Sequence, residues 1–127
     1  GTDNIRWTRR AATPYVPSPL LMPDQTLYFF HHYQGFLSKV EGLTGKDLGP
    51  FRLNQMGNFY ASPVAVKDRI YLTDRSGKTL VIQHGPEPKM LSLNKLEDSF
   101  SASPAISGGA LFLRGEKFLY CLSSGEG

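Results

Sequence analysis

The chain has 127 residues, of which 40% are hydrophobic and 20% are charged, which predicts one globular domain and excludes a disordered chain. Its net charge of +3 comes mostly from residues 1–10, where three arginines stand against one aspartate, so we expect no nucleic-acid partner. No apolar run is longer than five residues, so we expect no membrane insertion.

The dipeptide Ser-Pro divides the chain into three repeats, which begin near Ser18, Ser62 and Ser103. In each repeat, short apolar runs rich in Val, Ile, Leu, Tyr and Phe follow the dipeptide, and Gly, Pro, Asp and Ser separate them. Such runs are typical of β-strands, and their nearly continuous hydrophobicity indicates sheets that are buried on both faces. A repeat of 40–45 residues favours a propeller or a solenoid.

We predict three strands in each repeat, named a, b and c, and a fourth strand, d, that leads into the next repeat. Strand d is expected at residues 5–10, 48–53 and 89–93. The prediction is an all-β fold with about three four-stranded antiparallel blades, forming a partial propeller or half of a closed ring. The single segment 1–127 then divides into units of approximately 11–53, 54–96 and 97–127, preceded by the N-terminal strand.

Aromatic residues recur at matching positions of the repeats. Tyr15, Phe59 and Phe100 each stand three residues before the repeated serine, and Tyr71 and Phe112 occupy equivalent positions in strand b. A residue that recurs once per repeat is structural by default. We therefore expect all five aromatic side chains in the core between blades.

The repeat resembles that of the PQQ-like (quinoprotein-type) β-propellers, in which Ser-Pro, small apolar residues, Ile/Leu-Tyr-Leu and Asp-x-x-Gly follow one another. The closing motif of that family, Ala-x-Asp-x-x-Thr-Gly-x-x-x-Trp, is matched by Glu41, Thr44 and Gly45, and Trp7 fits the tryptophan of a preceding unit. Lys39 and Gly49 depart from the motif. The second unit has lost the Thr-Gly at residues 84–85. The alternative family is the kelch propellers, which the double glycine at 108–109 favours.

This resemblance implies a non-catalytic scaffold or binding module that is periplasmic or secreted, although the N-terminal residues lack the apolar stretch of a signal peptide. Non-enzymatic members of the family include a periplasmic lipoprotein that helps assemble outer-membrane β-barrels. The enzymes of the family bind pyrroloquinoline quinone (PQQ) and calcium, with a vicinal Cys-Cys pair that this chain does not contain. The alternative function is a fragment of a PQQ-dependent dehydrogenase whose cofactor residues lie outside the chain.

No residue stands out as catalytic, cofactor-binding or metal-ligating. Cys121 lies within an apolar strand, where we expect it to be buried as a small hydrophobic residue. His31 and His32 are adjacent on a predicted strand, so their side chains point to opposite faces and do not share a metal.

Residues that differ between the repeats are the better candidates for binding. The loops that join strand d to a, and strand b to c, share one rim of a propeller, and their polar and aromatic residues suit recognition of a protein or peptide. The candidate interaction residues are His31, His32, Tyr33, Gln34, Asn58, Tyr60, Arg75, Glu97 and Asp98.

Three blades make an open arc, because propellers close with about four to eight blades. We therefore expect self-association, or a longer parent chain, to complete the propeller. In the closed form, two copies build a six-bladed ring, and residues 5–10 of one copy pair with the strand near 118–122 of the other.

Overall fold

The computed structural model describes residues 4–31 and 35–123, which form three antiparallel β-sheets and contain no helix. The predicted all-β fold with about three blades is therefore confirmed. The first sheet has the order β1-β2-β3-β4, the second β5-β6-β7-β8, and the third β11-β10-β9. The strands are β1 (Leu20–Leu21), β2 (Thr26–Phe30), β3 (Phe36–Glu41), β4 (Phe51–Arg52), β5 (Val64–Val66), β6 (Arg69–Thr73), β7 (Lys78–Gln83), β8 (Lys89–Lys95), β9 (Ala105–Ser107), β10 (Ala110–Arg114) and β11 (Leu119–Ser123).

Tight turns connect the first two strands of the second and third sheets. Ser107 pairs with Ala110 across Gly108 and Gly109, whose φ angles are 57° and 78°. Positive φ at both central residues fits the two-residue hairpin turn that matches the twist of its strands. The double glycine is thus explained by turn geometry.

The hydrophobic core lies between neighbouring sheets, because strand β6 contributes side chains in both directions. Ile70 and Leu72 pack toward the first sheet, while Tyr71 packs against the third. This alternation explains why the strand is almost continuously apolar: both of its faces are covered. Between the first and second sheets, the rings of Phe30 and Phe59 stack with centroids 3.7 Å apart.

The repeated serines link the three sheets to one another. The backbone N–H of Ser18 donates to Ser62 Oγ at 2.8 Å, and the N–H of Ser62 donates to Ser103 Oγ at 3.0 Å. The hydroxyls of Ser62 and Ser103 therefore each satisfy a backbone donor of the preceding repeat. This role explains the recurrence of serine without any nucleophilic function.

The strand predicted at residues 5–10 is absent, since a strand needs a neighbour for its hydrogen bonds and none lies beside this segment among the described residues. The segment instead lies against the outer face of the first sheet. Trp7 Nε1 donates to the carbonyl of Gly42 at 2.8 Å, and the guanidinium of Arg9 lies 5.5 Å from the ring centroid of Phe29.

Three predicted core positions need correction. Phe59 and Phe100 are buried as expected, but Tyr15 is 61% exposed. Phe112 is half-buried, and because Leu111 and Leu113 on either side of it face the second sheet, its side chain points to the outer face of the third. Cys121 is exposed on that same outer face, directly opposite Phe112. The outer face has no covering sheet among the described residues.

Candidate functional site

Two loops of the second sheet form a tightly connected surface at one rim. The carboxylate of Asp74, in the turn between β6 and β7, is buried and accepts hydrogen bonds from the N–H groups of Gly57, Ser76 and Lys78. The Ser76 hydroxyl also donates to it, at 2.7 Å. This carboxylate fixes the turn to the loop that precedes β5, so neighbouring side chains are held in defined positions.

Three of the predicted interaction residues meet on this surface. The backbone N–H of Arg75 donates to the carbonyl of Asn58, and the Arg75 guanidinium lies 4.5 Å from the ring centroid of Tyr60. The Tyr60 ring in turn makes an edge contact with the ring of Tyr15, at 6.5 Å between centroids. We call Tyr15, Tyr60 and Arg75 the rim ladder.

The position of Arg75 in the rim ladder comes from stacking rather than from an ion pair. The structure shows no carboxylate paired with its guanidinium among the described residues, and its Nε atom is buried without a hydrogen-bond partner there. A cation over the face of an aromatic ring is attracted by the ring quadrupole. The rim ladder therefore combines a positive charge with two aromatic rings.

The same rim continues to the third sheet through Glu97 and Asp98. The N–H of Leu96 donates to the carbonyl of Gly77, which joins the segment to the β6–β7 turn. The Asp98 carboxylate accepts hydrogen bonds from the N–H groups of Ser99, Lys117 and Phe118 and from the Tyr120 hydroxyl.

The negative charge of Asp98 is directed at hydrogen-bond donors of its own chain. Partial burial acts to raise the pKa of its carboxyl, but the hydrogen bonds together outweigh this effect and lower the pKa. Asp98 fastens the β10–β11 turn, much as Asp74 fastens the β6–β7 turn. Glu97, by contrast, has an exposed side chain on this rim.

The first sheet contributes His31, which is half-buried at the end of β2. Its backbone N–H donates to the carbonyl of Phe36, and its imidazole ring lies 5.9 Å from the Phe36 ring, centroid to centroid. The other three candidates of this loop, His32, Tyr33 and Gln34, lie outside the described residues.

A polar cluster between the first and second sheets was not predicted from the sequence. His84 Nδ1 lies 2.6 Å from the Tyr28 hydroxyl, and His84 Nε2 lies 2.7 Å from Asp24 Oδ2. The ammonium group of Lys39 donates to the carbonyl of Gly85. The loss of Thr-Gly at residues 84–85 was the only signal in the sequence. We call these four side chains, Asp24, Tyr28, Lys39 and His84, the polar joint.

The pKa shifts in the polar joint follow from its contacts. The hydrogen bond from His84 is the main cause that lowers the pKa of Asp24 to about 2. Burial, followed by the charge of Asp24, raises the pKa of the Tyr28 hydroxyl, while burial lowers the pKa of Lys39. Because Tyr28 is fully buried, its hydroxyl does not meet a substrate, and the joint serves to hold two sheets together.

Across the described ranges 4–31 and 35–123, no three His, Cys, Asp or Glu side chains come close enough to hold a metal ion. Nor does this part of the chain contain a helix of the length and hydropathy that crossing a membrane requires.

The fold and the rim define a partial β-propeller with a polar and aromatic rim. No protein-family model and no curated protein sequence matches the chain. Among solved structures, the chain is similar to BamB from Moraxella catarrhalis, with a TM-score of 0.63 and 12% sequence identity. The match covers 85% of this chain and 32% of BamB, so the chain spans about a third of that propeller protein. At this identity, the similarity shows the fold alone.

Proposed function

We propose that the chain is a non-catalytic propeller segment that binds a protein or peptide through the rim on which the rim ladder lies. The observation that carries this proposal is the Arg75 guanidinium stacked on Tyr60, with Tyr15 at the edge of that ring and no described carboxylate paired with the guanidinium. Tyrosine and arginine are the residue types that most often dominate binding energy at interfaces. Hydrogen bonds around Asp74 hold this surface in place before binding, which lowers the entropic cost of association.

The rim ladder favours a partner with a carboxylate or a carbonyl-rich loop. A guanidinium with free N–H donors binds a carboxylate in two parallel hydrogen bonds, and the flanking tyrosines supply apolar area with a polar edge. We expect Glu97 to lie at the periphery of the contact, since it is exposed at the third-sheet end of the rim. The resemblance to exported propellers supports a periplasmic or secreted location.

The test uses peptides selected from a displayed random library against the intact chain. Replacing Tyr60 or Arg75 with alanine is expected to weaken the selected peptides at least about tenfold, as for central interface residues. Lys67→Ala, in the β5–β6 turn at the opposite rim, is the matched control and should leave binding unchanged. Peptides that bind all three variants equally, or failure to select any peptide, would contradict the proposal.

The alternative, a fragment of a PQQ-dependent dehydrogenase, makes a different spectroscopic prediction. PQQ and calcium are added to the chain, and the absorbance of a bound quinone is followed during titration. Our proposal predicts the spectrum of free quinone only. A stoichiometric, calcium-dependent change would replace the binding function with a redox one.

A further inference from the structure

Strand β8 is the outermost strand of the second sheet, and its outer edge has no partner strand among the described residues. The sheet already has the four strands predicted for a blade, and β8 lies well inside the described range 35–123. All seven residues of β8 are exposed. An edge with unpaired backbone groups can pair with an extended segment of another chain. The outer edge of β8 is therefore a place where a partner strand would extend the second sheet.

The strand register places Met90 and Leu93 on the face of β8 that points toward the first sheet. Met90 pairs with Ile82, and Leu93 pairs with Leu80. Leu80 and Ile82 belong to the core shared with the first sheet, and residues paired across two strands point to the same face. Met90 and Leu93 are nevertheless 51% and 38% exposed. The outermost strand of the first sheet, β4, has only two residues and leaves this apolar face uncovered.

Two like charges lie at one end of this apolar face. Lys78 of β7 pairs directly with Lys95 of β8, so both side chains share the face of Leu93. Neither ammonium group forms an ion pair with a described residue, although Lys78 donates to the carbonyl of Gln55. Like charges directly opposite each other on a sheet are destabilising. A partner's carboxylate beside the two lysines would offset this repulsion, so the charge favours an acidic partner.

The backbone of β8 presents free hydrogen-bonding groups next to these side chains. The N–H of Leu96 donates to the carbonyl of Gly77, one position beyond the lysine pair. Hydrogen-bonded and non-hydrogen-bonded pairs alternate along an antiparallel ladder. Leu93 and Lys95 therefore direct their N–H and carbonyl groups away from β7, to the free edge. A bulge in the β7–β8 ladder interrupts this alternation toward Met90, so the regular part of the edge is short.

We propose that the outer edge of β8 binds an extended, antiparallel segment of a partner protein in which a carboxylate stands two residues before an apolar residue. The apolar side chain lies opposite Leu93 and covers it, while the carboxylate lies opposite Lys95 and offsets the charge of the lysine pair. Alternate residues of a strand share one face, so the two side chains occupy positions i and i+2. The contact is short, which fits a transient interaction. This surface is separate from the rim ladder and does not depend on the rim function.

The β8 strand of a second copy is the competing occupant, and its charges oppose this pairing. Its sequence, Lys-Met-Leu-Ser-Leu-Asn-Lys, has a lysine at each end and no carboxylate. Two copies paired edge to edge would therefore bring further lysines to this surface without neutralising any charge. Lysine on an edge strand commonly protects a protein from pairing with its own copies. An acidic partner is favoured over self-association for the same reason.

The experiment uses three fluorescent peptides with the intact chain: Thr-Thr-Glu-Thr-Leu-Thr-Thr, the same peptide with lysine for glutamate, and a peptide of residues 88–96. We expect the glutamate peptide to bind at least about tenfold more tightly than the lysine peptide at low salt, with a smaller difference at high salt. Its binding should slow amide hydrogen exchange at Leu93 and Lys95. Exchange at Asn94, whose N–H points toward β7, should change less.

N-methylation of the glutamate peptide tests the backbone pairing without changing the protein. In the proposed register, the N–H of the peptide leucine donates to the carbonyl of Leu93, so a methyl group on that nitrogen should abolish binding. The threonine before the leucine directs its N–H away from β8, and a methyl group there should be tolerated.

Charge reversal at the two ends of β8 localises the binding. K95E should remove the preference for the glutamate peptide. K89E is the matched control and should keep that preference, because Lys89 is equally exposed but pairs with Gln83 on the opposite face of the sheet. Circular dichroism checks that both variants fold. R75A should leave the affinity for the glutamate peptide unchanged, which separates this surface from the rim.

Five results would overturn the proposal: equal affinity for the two charged peptides, no binding at millimolar peptide, tolerance of the methyl group on leucine, equal effects of K95E and K89E, or tighter binding by the peptide of residues 88–96. The last result, together with a dimer in light scattering, would assign the edge of β8 to a second copy of the chain.

Discussion

Phe100 and Phe112 show how neighbouring sheets decide the role of an aromatic residue. Phe100 is fully buried between the second and third sheets, where it packs with Leu113 and meets the Tyr120 ring at 5.7 Å. Phe112 lies on the outer face of the third sheet and is half-buried. Both aromatic residues recur in the repeats, but among the described residues only Phe100 is covered by a neighbouring sheet.

Replacing Phe100 with alanine should lower the free energy of unfolding by about 3–5 kcal/mol, the usual cost of lost burial and a new cavity. Phe112→Ala is the matched control, with an expected loss of about 1 kcal/mol because its side chain already meets solvent. Urea denaturation followed by circular dichroism measures both values. Equal losses for the two variants would mean that the outer face of the third sheet is covered in solution.

The prediction that Tyr15 lies in the core, which came from its matching position in the repeats, is wrong for a related reason. Its counterparts Phe59 and Phe100 are buried because each lies between two sheets. No sheet stands before the first one among the described residues, so Tyr15 is exposed and its ring meets Tyr60 on the rim. The same residue position thus changes from core to surface at the end of a stack.

The contacts between adjacent sheets differ in chemistry. The second and third sheets meet through apolar side chains such as Tyr71, Leu111 and Leu122. The first and second sheets share a larger apolar core, and the polar joint adds hydrogen bonds at its margin. Asp24 of the polar joint has a lowered pKa and its contact with His84 links the first two sheets, so acid should weaken this contact.

The pH dependence of the polar joint follows from Asp24. Its pKa falls from 3.8 in the unfolded chain to about 2 in the folded one, so the stabilisation is complete above pH 4 and is lost as the pH falls toward 2. Because the Asp24 side chain is 58% exposed, the effect should stay below about 1 kcal/mol.

Urea denaturation at pH 4 and pH 2, compared between the wild type and Asp24→Asn, measures this contribution. The wild type should lose more stability than the variant over this interval, since the variant has no carboxyl at position 24 to protonate. Parallel losses in the two proteins would show that the contact between His84 and Asp24 does not persist in solution.

At the scale of the whole molecule, the two ends of the stack are protected differently. Phe29, on the outer face of the first sheet, is 4% exposed because Trp7 and Arg9 lie over that face. At the other end, Phe118 and Leu119 are 64% and 75% exposed. The N-terminal segment therefore serves as a cover for the first sheet, while no described residue covers the outer face of the third sheet.

Deleting residues 1–10 should uncover Phe29 and lower the free energy of unfolding by about 1–3 kcal/mol, the value of burying one large apolar side chain. Dye binding to exposed apolar surface should rise in the deleted chain. The control is the double variant R6A/R10A, in which both replaced side chains are exposed. Unchanged stability after deletion would contradict the covering role.

If two copies form a six-bladed ring, light scattering on the same samples will show a dimer that the deletion converts to a monomer.

The number of sheets, the order of the strands and most of the turns were predictable from the amino-acid sequence, because these follow from local patterns. Short apolar runs form strands, and a residue pair such as Gly108-Gly109 specifies a hairpin turn within a few positions. The prediction that Asn58, Tyr60 and Arg75 share a rim also followed from connectivity, since loops of the same type lie at the same end of each blade.

Which side chains are buried and which polar groups meet could not be predicted from the sequence, because both depend on how the sheets pack. The exposure of Tyr15 and Cys121 depends on whether another sheet stacks on theirs. Residues 5–10 form no strand because none of the described strands lies beside them. The contact between His84 and Asp24 joins residues 60 positions apart, and no local pattern encodes it. Strand formation is a property of short segments, whereas burial and pairing are set by what packs against them.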